Sequence, residues 1–187
     1  MRKGMMALCM GCALILSSGQ LALADEVDKG GIPVAELEGS FKKLAWGSSV
    51  WDNDEMLQAY NDDAKILVVD TRPDSFFQKG TLKNAILLAF DKTGSAENGL
   101  NEASLAEAIS KAGLTKENAK IVFFCQGPKC HRSYNASFVA VSKWGYSPNN
   151  IIWFRDGYPE LVKKIQDDPK LKRKANKYLS EEAIKSL

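Results

Sequence analysis

Three runs of consecutive apolar, β-prone residues constrain this chain more than any other feature: Ile66 to Val69, Ile121 to Phe124 and Ile151 to Phe154. None alternates apolar with polar, so none suits a sheet with one wet face, and each reads as a strand covered on both sides. The segments between them have helical spacing. Leu105, Ala108, Ile109 and Ala112 recur at near-helical intervals before Gly113. Ala136, Phe138, Val139 and Val141 line one side of a helix after the second run. Asp52 or Asn53 can cap a short helix carrying Met56, Leu57 and Tyr60, Phe76 and Phe77 lie on a helical turn ended by Gly80, and Ala85 to Leu88 makes a fourth strand. Strands alternating with helices predict a parallel α/β sheet, doubly wound, with helices on both faces.

The ends of the chain differ from this middle. Arg2 and Lys3 precede an apolar run from Met5 to Leu16, and Ala22 and Ala24 complete an A-x-A pattern. Residues 1–24 therefore read as a secretory signal peptide cut after Ala24, with export to the periplasm and no stable membrane insertion once the leader is gone. Its removal takes away Cys9 and Cys12, leaving Cys125 and Cys130. Of the 25 basic residues it removes two, which leaves 23 against 23 acidic ones. A mature chain with no net charge and no basic stripe has no footprint for nucleic acid. About 160 residues remain, the size of one domain. We read residues 25–48 as an N-terminal extension, 49–165 as the domain and 166–187 as a basic, helical extension on the surface.

The chemistry gathers after the second apolar run, in Cys-Gln-Gly-Pro-Lys-Cys-His-Arg-Ser. Cys125 is the first residue past its strand, and Ser133 can cap the helix that follows. Unpaired N–H groups at a helix start stabilise an anion such as a thiolate, and helix termini with nearby cations lower a thiol pKa from about 8.5 to roughly 3.5–7.5. Gly127 lets backbone approach the sulfur, and Lys129, His131 and Arg132 add positive charge. Two cysteines five positions apart in sequence are too few and too local for a structural disulfide framework, so they read as a site. Cys125, Cys130 and His131 lack a fourth ligand and a zinc-type spacing, so no metal is expected. Nothing in the sequence calls for another cofactor.

Taken together, Val68 to Arg72 (VVDTR), Phe76-Phe77 before Gly80, Asn84-Ala85 entering a strand, the strand ending at Cys125, Arg132-Ser133, Trp144-Gly145-Tyr146 and Phe154 to Val162 (FRDGYPELV) resemble the rhodanese-like domain. The resemblance spans roughly Ser49 to Lys164. It implies a single-domain sulfurtransferase or sulfane-sulfur carrier in which Cys125 forms a persulfide, with Gly127, Lys129, Arg132 and Ser133 shaping the substrate loop. The partners it implies are a small sulfur-containing anion, a thiol acceptor and an exported redox protein. Asp70 and Arg72 then anchor a strand end rather than join in catalysis. The chain departs from the family pattern in its loop. Arg132 stands seven positions after Cys125, whereas the usual sulfurtransferase spacing is five and the phosphatase-like spacing six, and Cys130 and His131 occupy the extra length. Gly80-Thr81-Leu82 also stands where the family has GHI.

Two other readings remain open at this level. Cys125 and Cys130 can interconvert between dithiol and disulfide as a redox centre, or the lengthened loop can serve a domain that only binds a partner.

Overall fold

The structure, a computed structural model, describes residues 31–38, 41–91 and 98–187. The leader and its cleavage point after Ala24 lie outside the described residues.

Five strands form one all-parallel sheet: β1 (Ser49–Trp51), β2 (Ile66–Asp70), β3 (Ile86–Leu87), β4 (Lys120–Phe124) and β5 (Ile151–Phe154). Their spatial order is β1-β5-β4-β2-β3. β1 was not legible as a strand, because three residues are too few for a pattern. Its pairing of Ser49 to Trp51 with Ile152 to Phe154 makes it a strand all the same. The run beginning at Ala85 shortens to the two residues of β3.

The three apolar runs are explained by what covers them. In β2 and β4, Val68, Val122 and Phe124 face one cluster while Leu67, Val69, Ile121 and Phe123 face another. The first cluster is closed by Met56 and Leu57 of α2 (Asn53–Asn61) and by Leu161 and Ile165 of α6 (Gly157–Asp167). The second is closed by Leu105 and Ile109 of α4 (Glu102–Lys111) and by Ala136 and Ala140 of α5 (His131–Ser142). Each large side chain fully buried in this way contributes about 1.5–3 kcal/mol, which is why the runs Ile66 to Val69 and Ile121 to Phe124 carry no polar residue on either face. Two further short helices complete this part of the fold, α1 (Val34–Glu38) ahead of β1 and α3 (Asp74–Phe77) between β2 and β3.

The tail is less superficial than its composition suggests. It forms α7 (Pro169–Lys172), α8 (Ala175–Tyr178) and α9 (Glu181–Lys185). Lys170, Lys172 and Lys174 are exposed, but Ala175, Tyr178, Leu179 and Ala183 are buried in the first cluster. Leu179 pairs with Leu82, and the Tyr178 hydroxyl donates to Asn61 Oδ1 at 2.9 Å. A few apolar residues among many lysines suffice to dock the segment.

On the far edge, Leu44, Val50, Tyr134 and Trp153 form a third cluster, with the Tyr134 ring edge-on to Trp46 and Trp153. Glu36 of α1 is buried, and burial pushes its carboxyl above the usual range while the Tyr134 side chain and the Ala45 backbone pull it back. Folded Glu36 thus keeps its proton to higher pH than the unfolded chain does, so stability falls as pH rises out of the ordinary glutamate range. Glu36→Gln is expected to melt above wild type at neutral pH and to lose that advantage in acid. Thermal melts from about pH 4 to about pH 8 check it, and an advantage that does not vary with pH would refute it.

Candidate functional site

The register of the sheet brings three strand ends level: Asp70 pairs with Phe124, and Phe124 with Phe154. The residues that follow, Thr71, Cys125 and Arg155, therefore emerge side by side at the carboxyl edge, where open parallel sheets hold their ligands. Asp70 thereby lies beside Phe124, the residue before Cys125. A separate pocket lined by Trp51, Glu55, Lys65, Ile66 and Lys120 opens at the amino ends of β2 and β4, the opposite end of the sheet.

Cys125 is held by its backbone. The N–H and hydroxyl of Thr71 both donate to the Phe124 carbonyl, at 3.1 and 2.8 Å, which fixes the strand end immediately before it. The Cys125 carbonyl accepts from Tyr158 N–H at 2.9 Å, tying the loop to the start of α6. Between these two residues sits Gly157, with φ +70°. A Cβ there would lie 2.5 Å from the Cys125 oxygen and 2.6 Å from the Gly127 nitrogen, so only glycine allows the two loops to touch. Gly127, at φ +131°, turns the chain, and Cys130 N–H donates to its carbonyl at 3.0 Å.

Cys125 and Cys130 are joined by a disulfide, with Cα atoms 6.1 Å apart. Cys125 is buried and Cys130 half-buried. Cys130 is also the N-cap of α5, which corrects the expectation that Ser133 caps this helix. The cap lies three residues ahead of the serine, because the turn closed by Gly127 and Cys130 already sets the chain on a helical path. Ser133 is instead buried inside the first turn, and its Oγ accepts from Trp153 Nε1 at 3.1 Å.

The early helix start also settles the direction of Arg132. It lies within the first turn and reaches sideways, with Nη1 donating to the Phe90 carbonyl at 3.0 Å and Nη2 lying 3.6 Å from Asp91. His131 Nε2 is 3.6 Å from the same buried carboxylate. Asp91 was not singled out from sequence, since it opens a loop of no recognisable spacing. Lys129 is exposed on the loop. No described carbonyl or side chain accepts from the N–H groups of Gln126, Gly127 or Lys129. Together with the start of α5, they leave donors available for an anionic sulfur.

Behind the loop, Asp70 and Arg72 form a buried ion pair. Arg72 Nη2 lies 2.6 Å from Asp70 Oδ2, its Nε donates to Oδ1 at 2.9 Å, and Nη2 also donates to the Gly80 carbonyl at 2.8 Å. Thr81 Oγ1 donates to Asp70 Oδ2 at 2.7 Å. The guanidinium carbon stands 4.2 Å from the centre of the Tyr158 ring. The pair therefore braces Tyr158, whose N–H holds Cys125. Both residues work as anchors, and neither reaches the disulfide through any contact observed. Among the described residues no three His, Cys, Asp or Glu side chains are arranged to hold a metal ion.

Chemically, this is a buried strand-end sulfur with a second sulfur in covalent reach, backed by a helix start and flanked by cations. Reduction of the disulfide gives two thiols within reach of one another.

Comparison with known proteins gives one family match. The family described as Rhodanese-like domain matches residues 52–164, more than half of the chain. No curated protein matches it. Among solved structures, a Bacillus halodurans protein is similar at 17% identity and TM-score 0.47, covering 63% of this chain and 73% of its own. A rhodanese-like domain from Anabaena sp. is similar at 16% identity and TM-score 0.42, covering 61% and 73% respectively. The thiosulfate sulfurtransferase of Pseudomonas aeruginosa is similar at 13% identity and TM-score 0.45, over 63% of this chain but only 19% of that protein.

Proposed function

The chain belongs to the rhodanese-like domain family, and from that membership we propose that it is an exported, periplasmic sulfurtransferase or sulfane-sulfur carrier in which Cys125 takes up a persulfide once its disulfide is reduced. The observation that carries this reading is the placement of Cys125. It sits buried at the carboxyl end of the central strand β4, in a glycine-containing loop that runs into the start of α5.

With thiosulfate as donor, the Cys125 thiolate attacks the outer sulfur, the bond to the sulfonate sulfur breaks, and sulfite leaves with the electron pair. A thiol or cyanide then takes the outer sulfur and returns the thiolate. This is double displacement through a covalent intermediate. Lys129 is the exposed cation on the loop, whereas Arg132 must leave Asp91 to meet an anionic donor. An exported redox protein would supply the electrons that open the disulfide, in keeping with the leader-like N-terminus and the oxidising compartment it implies.

The test uses Cys130→Ser, which cannot form the disulfide. Reduced and freed of reductant, this variant is expected to gain the mass of one sulfur from thiosulfate or inorganic polysulfide and to lose it to cyanide. Cys125→Ala in the same background should gain none. Absence of sulfur uptake by the Cys130→Ser protein from both donors would sink the proposal.

The disulfide also favours a second reading, a thiol–disulfide redox centre using Cys125 and Cys130. The same variant separates the two, since a carrier keeps or gains persulfide formation while a redox centre loses its two-electron couple.

A further inference from the structure

The two readings meet in a single step that the geometry supports. Resting on the sulfurtransferase reading, we propose that Cys130 is the resolving thiol of the Cys125 persulfide, so that this domain reduces sulfane sulfur to sulfide and ends each turnover as the Cys125–Cys130 disulfide.

The step balances without any further reagent. The Cys130 thiolate attacks Cys125 Sγ, a bond forms between the two Sγ atoms, and the bond from Cys125 Sγ to the outer sulfur breaks. The outer sulfur leaves as HS⁻, keeping the persulfide proton and the electron pair. It has been reduced by two electrons, and the two cysteines have been oxidised together by two. The next cycle needs an external dithiol to reopen the disulfide, with its electrons passing by ordinary thiol–disulfide exchange.

Three observations favour this outcome over transfer to an outside acceptor. First, the disulfide places the two Sγ atoms within bonding reach. The contacts that hold the loop do not involve sulfur: Tyr158 N–H to the Cys125 carbonyl, Cys130 N–H to the Gly127 carbonyl, and Gly157 against both Cys125 and Gly127. Reduction therefore leaves the cysteines where they are. Second, Cys125 is 1% exposed, so the inner sulfur of the persulfide is shielded from outside thiols but lies within reach of Cys130. Even a loose tether supplies an effective concentration on the order of millimolar, and a fixed geometry supplies far more. Third, Cys130 is the N-cap of a 12-residue helix, where the ionised thiol that must attack is favoured. Arg132, in the first turn of the same helix, is turned onto Phe90 and Asp91.

The experiment compares reduced wild type, Cys130→Ser and Cys125→Ser, all freed of thiol and given thiosulfate or inorganic polysulfide. Each protein is then alkylated and weighed, and sulfide is counted in the thiosulfate arm, where the donor's own by-product is sulfite. Wild type is expected to return to the disulfide mass, resist alkylation and release one sulfide per chain. Cys130→Ser should hold its added sulfur at least about a hundredfold longer. The inference is overturned if wild type holds its added sulfur as long as Cys130→Ser does, with Cys130 still open to alkylation. It is overturned equally if Cys125→Ser acquires sulfur on Cys130, because the order of the two thiols is then reversed. Both of those results leave persulfide formation itself standing. Sulfur uptake by none of the proteins removes the sulfurtransferase reading and this inference with it.

Discussion

Arg72→Met is expected to lose about 3–5 kcal/mol of folding stability, the largest effect of any single substitution considered, because it strands a carboxylate in the interior. Asp70 is fully buried, and Arg72 supplies its ion pair and three side-chain hydrogen bonds, so that among the described donors the Thr81 hydroxyl and the backbone N–H of residue 72 are left to solvate the charge. The loss is a large share of the roughly 5–15 kcal/mol that holds a domain of this kind together. Urea unfolding measures it through the midpoint at unchanged slope. The cause is separable from lost packing. Asp70→Asn added to Arg72→Met removes the stranded charge, so the double variant should be more stable than Arg72→Met alone. A double variant no more stable than the single would mean that the guanidinium acts through its packing on Tyr158 and Phe124 instead.

Replacement of Gly157 by alanine should damage the site more than the fold. Its φ of +70° costs a non-glycine residue about 1–2 kcal/mol, and the new Cβ would press into the Cys125 carbonyl and the Gly127 nitrogen. One of the two loops must then move, and a displacement of about 1 Å in a reacting group is enough to slow chemistry a hundredfold. Sulfur uptake by Gly157→Ala in the Cys130→Ser background is the measurement, with a slowing of about a hundredfold expected. Gly113→Ala is the companion, since that glycine has nearly the same φ, +66°, and no atom within 4 Å of a new Cβ. It carries the backbone cost alone, so the excess at Gly157 reports the contact with the cysteine loop. Equal losses of stability at the two positions, with sulfur uptake unchanged at Gly157, would show that the contact plays no part.

Much of the architecture was legible because burial on both faces of a parallel sheet leaves a signature in single residues. Ile66 to Val69, Ile121 to Phe124 and Ile151 to Phe154 each gave their strand, and Gly80 and Gly113 marked ends of helical segments. β1 escaped notice because three residues hold no period, and its identity comes from pairing with β5. The docking of the tail is hidden from its sequence for a similar reason. Composition averages over a segment, whereas docking depends on a few positions such as Tyr178 and Leu179 that face the core.

At the site, local order and chemical type were readable, and direction was not. The position of Cys125 after a buried strand, the glycine turn at Gly127 and the second cysteine all follow from consecutive residues. That Arg132 turns onto Asp91, that Ser133 serves Trp153 instead of capping a helix, and that Gly157 presses against Gly127 depend on residues far apart in the chain. No spacing rule records such meetings. The sequence by itself determined an α/β sheet of the rhodanese-like family with a two-cysteine loop at a strand's carboxyl end. Only the tertiary structure decided that the two sulfurs lie within bonding reach, with the loop clamped by Tyr158 and Gly157. The physical reason is that strand and helix propensities are set by near neighbours, whereas the path of a loop is set by whatever the rest of the fold packs against it.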